Sequence, residues 1–175
     1  MSNKQSAGLL LYRRSGRGEI ELLIAHPGGP LFARRDAGWW TVPKGEYEPG
    51  EEPLATAERE FAEELGQAPP DGERADLGEV QQASGKRVRV WAAEGDLDTG
   101  SVTSNQFEME WPLKSGRVQH FPEVDRAEWV SPEIARERLN PAQVAFVDRL
   151  VELLATGGAG GADGAARGPA PASAS

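Results

Sequence analysis

No cysteine occurs anywhere in the 175 residues. Disulfides, thiolate metal sites and cysteine nucleophiles are thereby excluded. Long hydrophobic runs are missing as well. The longest near the start, Gly8–Tyr12, is too short for a signal-peptide core or a membrane span. The expectation is a cytoplasmic protein with no membrane partner. Positive charge is scarce: 19 lysines and arginines face 28 aspartates and glutamates, a formal net charge of −9. Broad binding to DNA or RNA needs a basic track, so this balance argues against it. A single nucleotide is not excluded, because bound divalent cations would invert the local field.

What is present has the size and composition of one soluble domain able to bury a real core. The most informative stretch is Gly45–Gln67, GEYEPGEEPLATAEREFAEELGQ. Pro53 suits the first turn of a helix, where its missing N–H costs nothing. Gly66 suits the left-handed position just past the end. Between them Leu54, Ala57, Phe61 and Leu65 recur at helical spacing and define a buried stripe.

Glu60, Glu63 and Glu64 fall on one arc of roughly 100° beside that stripe. Carboxylates that close repel one another, so a cation is needed to compensate. Rigidly held oxygen ligands suit Mg²⁺, or Mn²⁺ in its place, bridging to substrate phosphates. Taken alone, the three glutamates would be an ordinary solvated face. Gly45, Glu51, Arg59 and Gly66 at fixed distances from them favour the metal reading.

Along the chain, Ser6–Tyr12 and Ile20–His26 read as a hairpin, and Pro27–Gly38 as a loop. Trp39–Val42 reads as a short strand leading into Pro43-Lys44-Gly45. Further strands are expected at Asp76–Gln82, Lys86–Ala93, Gln106–Trp111 and Arg126–Val130. Ser131–Pro132 opens a helix to about Arg138, and Asn140–Pro141 opens another to about Ala155 with the stripe Val144, Val147, Val151 and Leu154. Residues 1–156 therefore form one domain. Residues 157–175, rich in Gly, Ala, Ser and Pro, are expected to form a disordered tail. Strands around a central helix, with helices after the last strand, read as α/β or α+β.

The stretch from Gly45 resembles the Nudix box, G-x5-E-x7-R-E-U-x-E-E-x-G-U with U a bulky apolar residue. Every position fits except the last, where Gln67 stands. The resemblance implies an α/β/α sandwich with a mixed β-sheet and a pyrophosphohydrolase, in which water attacks phosphorus and splits a diphosphate linkage. It implies metal ligation by Glu60, Glu63, Glu64 and the Gly45 carbonyl. It also implies that Arg59 pairs with Glu51 to orient the catalytic glutamates. The segment Pro122-Glu123-Val124-Asp125 before Trp129-Val130-Ser131 is similar to one in RNA 5′ pyrophosphohydrolases and diadenosine polyphosphate hydrolases of the family, where a glutamate joins the metal site. That makes Glu123 the candidate distal ligand and general base, with Glu108, Glu110 and Asp125 as competitors. The base is otherwise a box glutamate.

Lys44, in Trp40-Thr41-Val42-Pro43-Lys44-Gly45, is the candidate substrate-binding cation, and Phe32, Trp39, Trp40 and Trp91 are candidates for stacking on a base. The proline that ADP-ribose hydrolases of the family tend to carry beyond the box is absent around Ala83. The tyrosine that marks many dinucleoside polyphosphate hydrolases is absent too, since only Tyr12 and Tyr47 exist. The expected substrate is a nucleoside polyphosphate, an NTP or a dinucleoside polyphosphate. An RNA 5′ end and a non-catalytic nucleotide-binding role are the alternatives. DNA is not an expected partner, and the resemblance leaves a homodimer open.

Overall fold

A computed structural model describes residues 4–157. Strands β1 (Gln5–Arg14) and β2 (Ile20–Pro27) form the expected hairpin, with Tyr12 opposite Leu22. The next strand, β3 (Lys44–Tyr47), pairs antiparallel with the other end of β1, Gly8 opposite Lys44 and Ser6 opposite Glu46. Helix α1 (Pro53–Leu65) follows, then β4 (Ala75–Gln81) and β5 (Arg87–Glu94). A small separate ribbon of β6 (Gln106–Glu110) and β7 (Val118–Pro122) precedes β8 (Val124–Val130). Two helices, α2 (Pro132–Arg138) and α3 (Val144–Ala155), close the described chain.

The main sheet runs β4-β5-β1-β2-β8, with β3 also paired to β1. β1 and β5 are parallel and the other pairs antiparallel, so the sheet is mixed. Ser6–Tyr12 of β1 is buried without a break, as a strand covered on both faces must be. One face presents Ala7, Leu9, Leu11, Leu23 and Ala25 to Ala57, Phe61 and Leu65 of α1. The other presents Leu10, Tyr12, Leu22, Ile24, Val88 and Val90 to Ala135 of α2 and Phe146, Val147 and Leu150 of α3. These are the expected helix, mixed-sheet and helix layers.

Several local expectations are corrected. Trp39–Val42 is not a strand. Thr41 makes a single bridge to Ala25, Trp40 bridges to Leu139, and the strand starts only after Pro43, which has no N–H to give a ladder. In α3 the fully buried residues are Phe146, Val147 and Leu150, while Val144, Val151 and Leu154 are only partly buried. A 3-10 turn, Pro141–Gln143, precedes α3, capped by the Asn140 side chain, which accepts from the Ala142 N–H. β7 falls where no strand was expected, and β8 starts at Val124 rather than Arg126. The expected tail lies, from residue 158 on, outside the described residues.

Candidate active site

Helix α1 carries the acidic arc. Its start is set by Pro53 and its end by Gly66, whose φ is 71° and whose N–H donates to the Ala62 carbonyl at 2.8 Å. A side chain at Gly66 would also run into Thr103. With Ala57, Phe61 and Leu65 buried against the sheet, the neighbouring face turns Glu60 and Glu64 toward the start of β3.

There the Lys44 N–H donates to the Glu64 carboxylate at 3.1 Å. Gly45 lies directly against the Glu60 carboxyl, so closely that a Cβ would overlap it. The third carboxylate comes from the far end of the chain. Glu123 sits between β7 and β8. Its N–H donates to the Asn105 carbonyl at 2.8 Å, and its own carbonyl accepts from the Gly28 N–H at 2.9 Å. Glu60, Glu64 and Glu123 each offer an oxygen within 4.8 Å of the others. Together with Ser6, Lys44, Gly45, Glu46 and Lys86 they line a cavity of about 340 Å³.

The carboxylates stand in an unfavourable field. Burial pushes Glu64 up to about 8, with the Glu60 charge adding to the rise and Lys44 opposing it. Burial and the charge of Glu63 raise Glu60, against the pull of Arg59. Burial and Glu63 raise Glu123 too. Lys44 is itself lowered, by burial first and then by nearby Lys86, with Glu64, Glu46 and Glu60 pulling the other way. A site of three oxygen donors short of positive charge fits a hard divalent cation. Glu60, Glu64, Glu123 and the Gly45 carbonyl would hold it. The closeness of Gly45 to Glu60 fits too, since any larger residue would push the carboxyl out of the cluster.

Arg59 lies among three carboxylates: 3.7 Å from Glu51, 3.4 Å from Glu60 and 3.9 Å from Glu63. Glu51 also accepts from the Glu48 N–H, bracing the loop before the helix. Glu63 is not among the three clustered residues. Its carboxylate is 41% exposed beside Arg59, acting on Glu60 and Glu123 through its charge. Glu108 and Glu110 are on the β6–β7 ribbon, the first 3.7 Å from His120 and the second accepting from the Lys114 N–H. Asp125 turns to His26 instead.

Lys44 lines a second cavity, of about 220 Å³, with Phe32, Trp39, Trp40, Thr41, Gln82, Asn140 and Gln143. Three of the four candidate stacking residues meet here. Trp91 does not, being packed on the α1 side. Gln143 is buried and fixes the floor, accepting from the Val42 N–H at 2.9 Å and donating to Gln82 at 2.9 Å. Ser6, Glu46, Lys86 and Gln143 were not singled out as site residues from the sequence. Strand register brings the first three together, and no local motif marks it.

A family model described as the NUDIX domain matches residues 2–150, and the chain belongs to that family. Its membership supports a pyrophosphohydrolase. Among solved structures, the chain is similar to an Ap4A hydrolase of C. elegans in a binary complex, with 23% identity, 86% of this chain and 98% of that one covered, and a TM-score of 0.61. It is similar to the NUDIX domain of Shewanella oneidensis NrtR complexed with ADP ribose, at 15% identity, 88% and 90% coverage and a TM-score of 0.59. A MutT protein from Methanosarcina mazei Go1 matches at 21% identity, 87% and 96% coverage and a TM-score of 0.54. Those likenesses establish the fold. No helix among the described residues is long and apolar enough to cross a membrane.

Proposed function

We propose that the chain is a divalent-metal-dependent hydrolase that splits a diphosphate linkage in a nucleoside polyphosphate, an NTP or a dinucleoside polyphosphate. The observation that carries this reading is the meeting of Glu60, Glu64 and Glu123 within 4.8 Å, in a cavity shared with Lys44. Bound Mg²⁺ or Mn²⁺ would lower the pKa of water and offset charge on the phosphoryl and leaving oxygens. Glu60, Glu64, Glu123 and Gly45 hold and space the site. Arg59 braces Glu60, and Glu51 braces Arg59. Water forms the new P–O bond as the bridging P–O bond breaks, and the water's proton passes to a carboxylate of the cluster.

Lys44 lies between this cavity and the aromatic one, in position to meet the phosphate chain from a base held beside Trp39 and Phe32. Trp39 is 43% exposed and Phe32 packs at 5.8 Å from it, which leaves aromatic surface for stacking. The second cavity favours a nucleoside over a bare polyphosphate. Hydrolysis of NTPs, diadenosine polyphosphates, ADP-ribose and a triphosphorylated RNA, each with Mg²⁺ or Mn²⁺ and with EDTA as control, tests the assignment. Metal-dependent turnover is expected to be fastest on an NTP or diadenosine polyphosphate. Faster turnover of ADP-ribose or RNA would overturn the substrate class, and no turnover at all would overturn the enzyme reading.

A further inference from the structure

His26 is 1% exposed, yet both of its ring nitrogens have partners. Nε2 lies 2.6 Å from the Arg35 carbonyl and Nδ1 lies 2.8 Å from the Asp125 carboxylate. A carbonyl and a carboxylate both accept, so a proton on either ring nitrogen finds an acceptor. A buried polar side chain held on both sides in this way fixes three segments at once: the end of β2, the loop that carries Phe32 and Trp39, and the start of β8.

The register of β2 against β8 shifts at this point. His26 stands opposite Arg126, but Pro27 stands opposite Val124, which leaves Asp125 as an extra residue on β8. Without the bulge, Pro27 would face Asp125 and Gly28 would face Val124. With it, the Gly28 N–H reaches the Glu123 carbonyl at 2.9 Å. Because side chains alternate along a strand, a one-residue shift reverses the face on which each lies. The bulge therefore decides which side of the chain the Glu123 carboxylate takes.

We propose that His26 and Asp125 are a positioning pair that pins this bulge and so aims Glu123 at Glu60 and Glu64. The proposal rests on the metal-site reading above, and it assigns the pair no contact with substrate. Asp125 is itself the bulged residue, and its half-exposed side chain ties the bulge to the buried His26 ring. Arg35 ties the aromatic loop to the same anchor.

Calorimetric titration with Mn²⁺ alone tests it on Asp125→Ala, Glu123→Gln and the double variant, with circular dichroism to verify folding. Asp125→Ala is expected to weaken Mn²⁺ binding about tenfold, the scale on which outer partners of metal ligands act. Asp125→Asn, whose amide oxygen still accepts from Nδ1, is expected to retain most of the affinity. In the double variant the loss is expected to be no larger than in Glu123→Gln, because one residue acts through the other. A purely structural Asp125 would lower the melting temperature and leave Mn²⁺ affinity at 25 °C unchanged. That result, or losses that add in the double variant, overturns the proposal while leaving the metal site standing. Unchanged affinity in Glu123→Gln overturns the placement of Glu123 in the metal site and the proposal with it.

Discussion

Gly45 and the Glu60 carboxyl are in such close contact that no side chain fits between them. The backbone at Gly45 is not in the left-handed region, so alanine is tolerated by the main chain and lacks only the space. Glu60 must swing away to admit the new methyl group. Gly45→Ala is therefore expected to fold normally, to require more Mg²⁺ for half-maximal activity, and to lose about tenfold or more in kcat. Steady-state kinetics across a Mg²⁺ series would measure this; kinetics equal to wild type would show that the contact is irrelevant to the site.

Glu64 gives the metal-free protein a pH dependence of definite sign. Its carboxyl sits at about 8 in the folded chain, against an ordinary value of 4.5. Between those limits the folded state holds more protons than the unfolded state, so stability is lost as pH rises. The raised values of Glu60 and Glu123 act in the same direction. In EDTA, the wild-type melting temperature is expected to fall from about pH 5 to about pH 8 relative to Glu64→Gln, by at least about 3 °C. Saturating Mg²⁺ is expected to restore it, because a ligand that binds only the folded state stabilises it. Differential scanning calorimetry with and without Mg²⁺ would resolve both effects, and a stability that rises over this range would refute the charge picture.

Lys44 is half-buried between the two cavities, beside Lys86 and the carboxylates. Replacing it with methionine keeps much of its bulk and removes its charge. Lys44→Met is expected to raise KM for an NTP about tenfold to a hundredfold, as for one lost charge-assisted hydrogen bond. The loss in kcat is expected to be smaller. Since burial and Lys86 lower the Lys44 pKa, wild-type KM is expected to rise on the alkaline side at a pH below that of an ordinary lysine. Lys44→Met is expected to lack that rise, and a pH–KM profile unchanged by the substitution would remove Lys44 from the binding site.

The parts of this site that were legible from the sequence are those written locally. Helix α1 announced itself through Pro53, the stripe Ala57-Phe61-Leu65 and Gly66, and its caps fixed which carboxylates share a face. Glu123 stood out only through its neighbours Pro122, Asp125 and Trp129. Its approach to Glu64 depends on Gly28 and Asn105, which no spacing rule connects to it. Ser6 and Lys86 reach the cavity because β1 lies between β3 and β5, a consequence of sheet order. Trp39–Val42 looked like a strand because its residues favour one. Pro43 and the flanking contacts to Ala25 and Leu139 reduced it to isolated bridges. β7 leaves no such pattern, because Val118, Gln119 and His120 are exposed and, among the described residues, it pairs with β6 alone, so it has no buried face.

In the proposed function, the Glu60–Glu64–Glu123 cluster carries metal-dependent hydrolysis. Its most direct test is phosphate and pyrophosphate release from an NTP by the wild type and Glu64→Gln side by side, in Mg²⁺ and in EDTA. Turnover by the wild type is expected only with Mg²⁺, with a loss of about a hundredfold or more in a folded Glu64→Gln. Wild-type turnover that survives EDTA, or a Glu64→Gln variant as active as the wild type, would contradict it.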